Sequence, residues 1–136
     1  MYEIKLEEDA EYWDHYKYTS KNDKGQILTL KISSVLTSKN IKYYILFYIG
    51  TKRKKGFQFM EGTGKDGLKS LIWARNCIKD FISELPKSWR YKKYSKHSII
   101  VQWDDNRRRN TYYYGLKSLG FYYGVDYLRK SLIKNI

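Results

Sequence analysis

The stretch Ser98-Ile-Ile-Val-Gln-Trp-Asp-Asp-Asn-Arg-Arg-Arg-Asn-Thr-Tyr-Tyr-Tyr-Gly-Leu-Lys-Ser-Leu-Gly-Phe121 decides the fold. Its β-branched start, Ser98 to Trp103, reads as a strand. Asp104 to Arg109 is a polar, arginine-rich junction. From Asn106 to Leu119 the spacing of Tyr112, Leu116 and Leu119 predicts a helix with one apolar side. Gly120 then supplies the stop that ends many helices. A strand that feeds a helix in this way is a building unit of α/β proteins.

The preceding segment repeats that order. Lys42 to Ile49 carries Tyr43, Ile45, Phe47 and Ile49 on one face and Tyr44, Leu46 and Tyr48 on the other. Apolar residues on both faces predict a central strand covered on both sides. Gly50 to Gly56 reads as a basic, hairpin-like loop, and Gly56 to Met60 as a short strand. A helix is expected from about Asp66 to Leu85, with Leu68, Leu71, Ile72, Ile78, Phe81, Ile82 and Leu85 on one wide apolar face. Pro86 lies just past its end, where it cannot continue a helix.

Nearer the N-terminus, Met1 to Glu7 and Gln26 to Leu36 alternate as strands do. Asn22-Asp-Lys-Gly25 is a turn signal between them. Glu8 to Tyr18 is mixed and aromatic and favours neither state. Phe121 to Ile136 fits a helix through Val125, Leu128 and Leu132, and a strand through Tyr127, Arg129 and Ser131. The expected fold class is α/β, with a mixed, largely antiparallel sheet flanked by helices.

With 136 residues the chain suffices for one domain with a real core. The apolar share of 42% excludes the disordered class. Tyrosine supplies 15 of the aromatic side chains; such rings bury area and keep a wet hydroxyl, so many are expected half-exposed. The formal charge of +13 attracts polyanions: nucleic acid, phosphorylated cofactors or an anionic surface. Abundant Lys, Asn, Ile and Tyr beside a single Pro also point to an AT-rich coding genome, which raises the lysine count for reasons unrelated to function.

Cys77 is the one cysteine, which excludes an internal disulfide and suits a reduced, intracellular (cytoplasmic) setting. Its place in an apolar helical pattern reads as a core thiol rather than a nucleophile. His15 and His97 belong to no metal-spacing motif, so no metal site is expected. No apolar run reaches the roughly 20 residues of a membrane helix, and Met1 to Glu11 does not read as a signal peptide, so no membrane partner is expected.

Two local features resemble the GCN5-related N-acetyltransferase family. Gly62-Thr-Gly64 with Gly67-Leu68 stands where that family has an Arg/Gln-x-x-Gly-x-Gly/Ala turn. Asn106 to Phe121 is similar to its Asn-x-x-Ala-x-x-Leu-Tyr-x-x-x-Gly-Phe segment. The position three before Gly62 is Phe59, with Gln58 beside it; Arg109 takes the Ala position, and the segment is three residues longer than the family's. The resemblance covers roughly residues 40–123 and implies one acetyltransferase-like domain over 1–136. It implies acetyl-CoA as cofactor, held by Gly62, Thr63, Gly64, Lys65, Asp66, Gly67 and Asn106, and an amine as acceptor. It also implies Glu61 as general base, and Tyr113 or Tyr114 as the acid that protonates the leaving thiolate. A glycine turn at a helix start suits a pyrophosphate because bare N–H groups and the helix dipole favour negative charge. The same turn also reads as an ordinary strand-to-helix loop with Thr63 or Asp66 as N-cap.

The basic runs carry a second reading. Lys52, Arg53, Lys54 and Lys55, then Arg90, Lys92 and Lys93, then Arg107, Arg108 and Arg109 form three cationic stretches. With Tyr91 and Tyr94 interleaved, they suit a nucleic-acid surface, where cations hold phosphates and rings stack on bases. This alternative is a small basic, non-enzymatic nucleic-acid-binding protein of a virus such as a phage, or of a mobile element. A third is an interaction protein that covers an acidic surface on a protein partner. Oligomeric state is not legible in the sequence.

Overall fold

Alternation along residues 27–37 and 40–49 pairs two long strands into a hairpin, β3 (Ile27–Thr37) against β4 (Asn40–Ile49). This is a computed structural model, and it describes residues 3–4, 6–8, 15–23, 25–37, 40–49, 59–61, 67–87, 96–102, 113–126 and 128–136. β1 (Leu6–Glu8) and β2 (His15–Lys21) extend the hairpin outward, each antiparallel to its neighbour. β5 (Phe59–Glu61) follows β4, and the helix α1 spans Gly67–Glu84. β6 (Lys96–Val101), β7 (Tyr122–Asp126) and β8 (Arg129–Asn135) complete one sheet of eight strands. A helical turn at 113–116 runs into a tighter turn at Lys117–Leu119 between β6 and β7.

The strand order is β1-β2-β3-β4-β6-β8-β7, with β5 also paired to β4. β1 to β4 form an antiparallel block, and β6, β8 and β7 form another. The two blocks join through one parallel pairing, β4 with β6, which runs from Asn40 opposite Lys96 to Ile45 opposite Val101. The α/β class with a mixed, largely antiparallel sheet is therefore observed.

One face of the sheet packs on the helices. Leu28, Leu30 and Ile32 of β3, Ile41, Tyr43, Ile45 and Phe47 of β4, and Ile99 and Val101 of β6 meet Leu71, Trp73, Ala74, Cys77, Ile78 and Phe81 of α1 in one apolar cluster. Leu116 and Phe121 join it from the turn before β7. The Arg75 guanidinium donates to Ser118 Oγ at 2.8 Å and ties α1 to that turn. Trp73 Nε1 donates to the Glu3 carbonyl at 2.8 Å and fastens the N-terminal segment to α1. Leu46 and Ile100, on the opposite face, are buried too.

Several expectations need correction. Ile72 is 49% exposed and does not belong to the apolar face of α1. At about 100° per residue it stands roughly opposite the stripe of Ser70, Ala74, Cys77 and Phe81. The strand expected over Met1 to Glu7 begins only at Leu6, and the undecided stretch from Glu8 contains β2 from His15. Phe121 to Ile136 is neither one helix nor one strand: it is the hairpin β7–β8. β4 and β5 pair in parallel and so are not the two arms of a hairpin; the loop expected over Gly50–Gly56 lies outside the described residues. Of the helix expected over Asn106 to Leu119, residues 113–119 are described and helical; 106–112 lie outside the described residues.

The glycine stop holds in detail. Gly120 has φ 93°, its N–H donates to the Lys117 carbonyl at 2.9 Å, and the Phe121 N–H reaches the Leu116 carbonyl at 3.4 Å. This double bond pattern satisfies the last carbonyls of the turn. The turn at Asn22–Gly25 also holds, with Gly25 at φ 76° and its N–H bonded to the Asn22 carbonyl.

Candidate functional site

The parallel junction is where the sheet changes direction. β6 accompanies β4 only as far as Ile45, and β4 continues to Ile49. Beyond that point β5 lies beside Phe47 and Tyr48, with an irregular register between those two residues. Glu61 closes β5 opposite Tyr48, and Gly67 opens α1. The carboxyl end of the parallel pair and the N-terminus of α1 are thus joined by the short segment 62–66. In α/β sheets ligands favour the crevice at the carboxyl ends of parallel strands where the strand order switches. Helix N-termini also present unpaired N–H groups to anions.

Ser70, in the first turn, is fully buried, and its hydroxyl has no hydrogen-bond partner among the described residues. It lies on the same helix stripe as Ala74, Cys77 and Phe81, which faces the sheet. A buried hydroxyl left unpaired is unfavourable by about 1–3 kcal/mol, which calls for an explanation.

Of the residues expected at the cofactor site, Gly67 opens α1 and Glu61 ends β5. Gly62, Thr63, Gly64, Lys65, Asp66 and Asn106 lie outside the described residues. So do the cations Lys52–Lys55, Arg90, Lys92, Lys93 and Arg107–Arg109. Tyr113 and Tyr114 are described and diverge. Tyr113 is half-buried against the core, its ring stacked on Tyr123 with centroids 4.6 Å apart. Tyr114 is 70% exposed, with the Lys117 ammonium 5.3 Å from its ring centre.

Sequence reasoning did not find the cluster on the opposite face of the sheet. Asp126, at the end of β7, is buried. Its Oδ1 accepts from Lys42 Nζ and its Oδ2 from the Tyr44 hydroxyl, both at 2.7 Å. β6 and β8 stand between β4 and β7 in the sheet, so their axes are about 14 Å apart by strand spacing alone. The tip of the β7–β8 hairpin must therefore curl back over this face. One signal was available: Asp126 is the single acid in residues 106–136, which hold seven Lys and Arg. Its partners, more than 80 residues away, leave no local pattern.

Two further buried pairs involve tyrosines. The Tyr18 hydroxyl donates to Asp80 Oδ2 at 2.8 Å. Burial pushes the Tyr18 phenol well above its ordinary range, and the Asp80 carboxylate adds to the shift. Burial likewise pushes the Cys77 thiol up, helped by Asp80. The thiol is kept protonated inside the core, in keeping with a packing role. Tyr43 Oη lies 3.1 Å from His97 Nδ1 in the interior.

Among the described residues no group of His, Cys, Asp and Glu could hold a metal ion. No helix among them is long and apolar enough to cross a membrane. Comparison of the chain with protein-family models, curated proteins and solved structures finds no match.

Proposed function

We propose that this chain is an acetyltransferase-like protein that binds acetyl-CoA and transfers the acetyl group to an amine. The observation that carries this reading is the parallel seam that β4 makes with β6 and with the short β5, bridged by α1, inside a largely antiparallel sheet. It supports the reading because a glycine-bearing segment leads from the carboxyl end of that seam straight into a helix N-terminus. That is where a pyrophosphate gains most from backbone N–H groups and the helix dipole. The Ser70 hydroxyl, without a hydrogen-bond partner among the described residues, adds a buried polar group at the same end of α1.

In this mechanism the segment Gly62–Gly67 holds the pyrophosphate, with Lys65 adding charge. The backbone at the irregular end of β4 polarises the thioester carbonyl. The acceptor nitrogen attacks that carbonyl; a C–N bond forms and the C–S bond breaks. Glu61, directly or through water, takes the proton from the amine. The departing thiolate takes a proton from a tyrosine hydroxyl. Of the two candidates, Tyr113 is held against the core and Tyr123, and Tyr114 faces outward.

The test is thermal unfolding with acetyl-CoA at about 1 mM. A ligand bound only by the folded state raises the melting temperature by mass action, by about 2.7 kcal/mol of stability at a hundredfold excess over Kd. The expected result is a clear upward shift with acetyl-CoA and a smaller one with S-acetylpantetheine, which lacks the pyrophosphate. An unchanged melting temperature at that concentration overturns the proposal.

A further inference from the structure

The tyrosines before and within β7 form a surface of which the acyl-transfer reading uses Tyr113 alone. Tyr114, Tyr113 and Tyr123 make a continuous run of rings, with centroids 6.3 Å and 4.6 Å apart. Tyr114 is 70% and Tyr123 43% exposed, so the run opens to solvent at both ends. Single exposed tyrosines are ordinary, but a contiguous exposed run marks an interaction surface. Here they are bordered by ammonium groups. Lys117 sits 5.3 Å from the Tyr114 ring centre.

The register places two more lysines on the same side. Tyr123 pairs with Leu132 and Val125 with Lys130 across the β7–β8 hairpin. Leu132 faces the helix-bearing side of the sheet, so Lys130 and Lys134, two positions either way, share that side with it. Lys134 reaches toward Gly120, where its Nζ would lie 2.8 Å from a Cβ placed on the glycine. The ring run is thus flanked by Lys117 and Lys134 at the turn and by Lys130 toward the hairpin tip. Asp126 is the one acid in residues 113–136, and it is buried against Lys42 and Tyr44 on the other face.

We infer that the Tyr113–Tyr114–Tyr123 surface, with Lys117, Lys130 and Lys134, is a binding site for single-stranded nucleic acid. Exposed rings offer stacking partners to unpaired bases, whatever their sequence, and the surrounding ammonium groups track the phosphates. A duplex keeps its bases stacked inside and cannot use the rings. The net charge of +13 strengthens the attraction at a distance. The inference does not rest on acetyl-CoA binding, and failure of either leaves the other standing.

The test is fluorescence anisotropy of the full chain with labelled oligo(dT), oligo(U) and a duplex, each roughly twelve nucleotides or base pairs long. Titrations are run at about 50 mM and about 200 mM salt. The expected result is tighter binding of one or both single strands than of the duplex; the stronger of the two identifies the DNA or RNA preference. Tyr114→Ala and Tyr123→Ala should each weaken single-strand binding about fivefold or more, while Tyr114→Phe keeps it, because the ring and not the hydroxyl does the stacking. Replacing Lys117 and Lys134 by Gln should flatten the salt dependence by about 0.7 in logarithmic slope for each lysine. Tyr114 is exposed, so its Ala variant should melt like the parent chain, which separates lost binding from lost fold. Duplex binding as tight as single-strand binding overturns the inference, and so does a folded Tyr114→Ala variant that binds like the parent.

Discussion

The Tyr44 hydroxyl donates to Asp126 Oδ2 at 2.7 Å, although two strands separate β4 from β7 in the sheet. With Lys42 on the other carboxylate oxygen, this bond anchors the hairpin tip to the centre of the sheet. The side chain of Asp126 is 3% exposed and that of Lys42 24%, so the carboxylate depends on these donors in place of water. Lys42→Met should therefore destabilise the protein by about 2–3 kcal/mol, toward the low end for breaking a buried pair because Lys42 is partly wet. Asp126→Asn keeps one acceptor oxygen and turns an amide NH2 toward the other donor, so it should cost about 1–3 kcal/mol. Urea unfolding measures both; equal and negligible losses would show that the tip is held by something else.

Alkaline pH should loosen the core through Tyr18 and Cys77. Each holds its proton more tightly folded than unfolded, because burial penalises the charged form. Their contribution is complete below the unfolded values, near 9 for the thiol and near 10 for the phenol, and is lost as pH rises above them. Tyr18→Phe removes the phenol's share. Its stability should fall less steeply than the parent's above about pH 10, by up to about 1.4 kcal/mol per pH unit. Parallel curves from urea unfolding across that range would contradict the assignment.

Leu128 and Gly120 make an opposed pair of backbone predictions. Leu128 has φ 65° and is fully exposed, so its side chain contributes strain and no burial. Leu128→Gly should stabilise the chain by about 1 kcal/mol, since a left-handed backbone is unfavourable for a branched residue. Gly120→Ala should do the reverse by about 1–2 kcal/mol, with φ 93° and a Cβ that meets Lys134. Melting temperatures of the two variants should move in opposite directions; a shared direction would refute the account.

Ser70→Ala tests the unsatisfied hydroxyl in the first turn of α1. Removing a buried, unpaired polar atom should raise stability by about 1 kcal/mol. On the acetyl-CoA proposal the same change should also shrink the thermal shift given by the ligand. A destabilised variant would mean that the hydroxyl already has a partner in the segment outside the described residues.

The strands β3, β4 and β6 and the helix α1 are legible because period-2 and helical spacing act within a few neighbours. Gly120 is legible for the same local reason. The β7–β8 hairpin is not, because its turn places Leu128 at positive φ where Gly or Asn would signal a turn. Val125, Leu128 and Leu132 also mimic helical spacing. The direction of β5 is hidden since parallel and antiparallel partners demand similar side chains. Tyr113 and Tyr114 stand out in the sequence as a tyrosine run, but their union with Tyr123 depends on Gly120 turning the chain back. The Asp126 cluster is a purely long-range product of curvature in the sheet.

The parallel seam also sets an order of events. Contacts in the β7–β8 hairpin begin three residues apart, at Asp126 and Arg129, whereas every pair across β4 and β6 spans 101 − 45 = 56 residues. Closing that longer loop is disfavoured by about 2–3 kcal/mol relative to the hairpin. The β1–β4 block and the β7–β8 hairpin can thus assemble from nearby chain, while the seam must wait until α1 has delivered β6 to β4. The last hydrogen bonds to form are then those beside the proposed cofactor site, and its completion reports that the whole chain has folded.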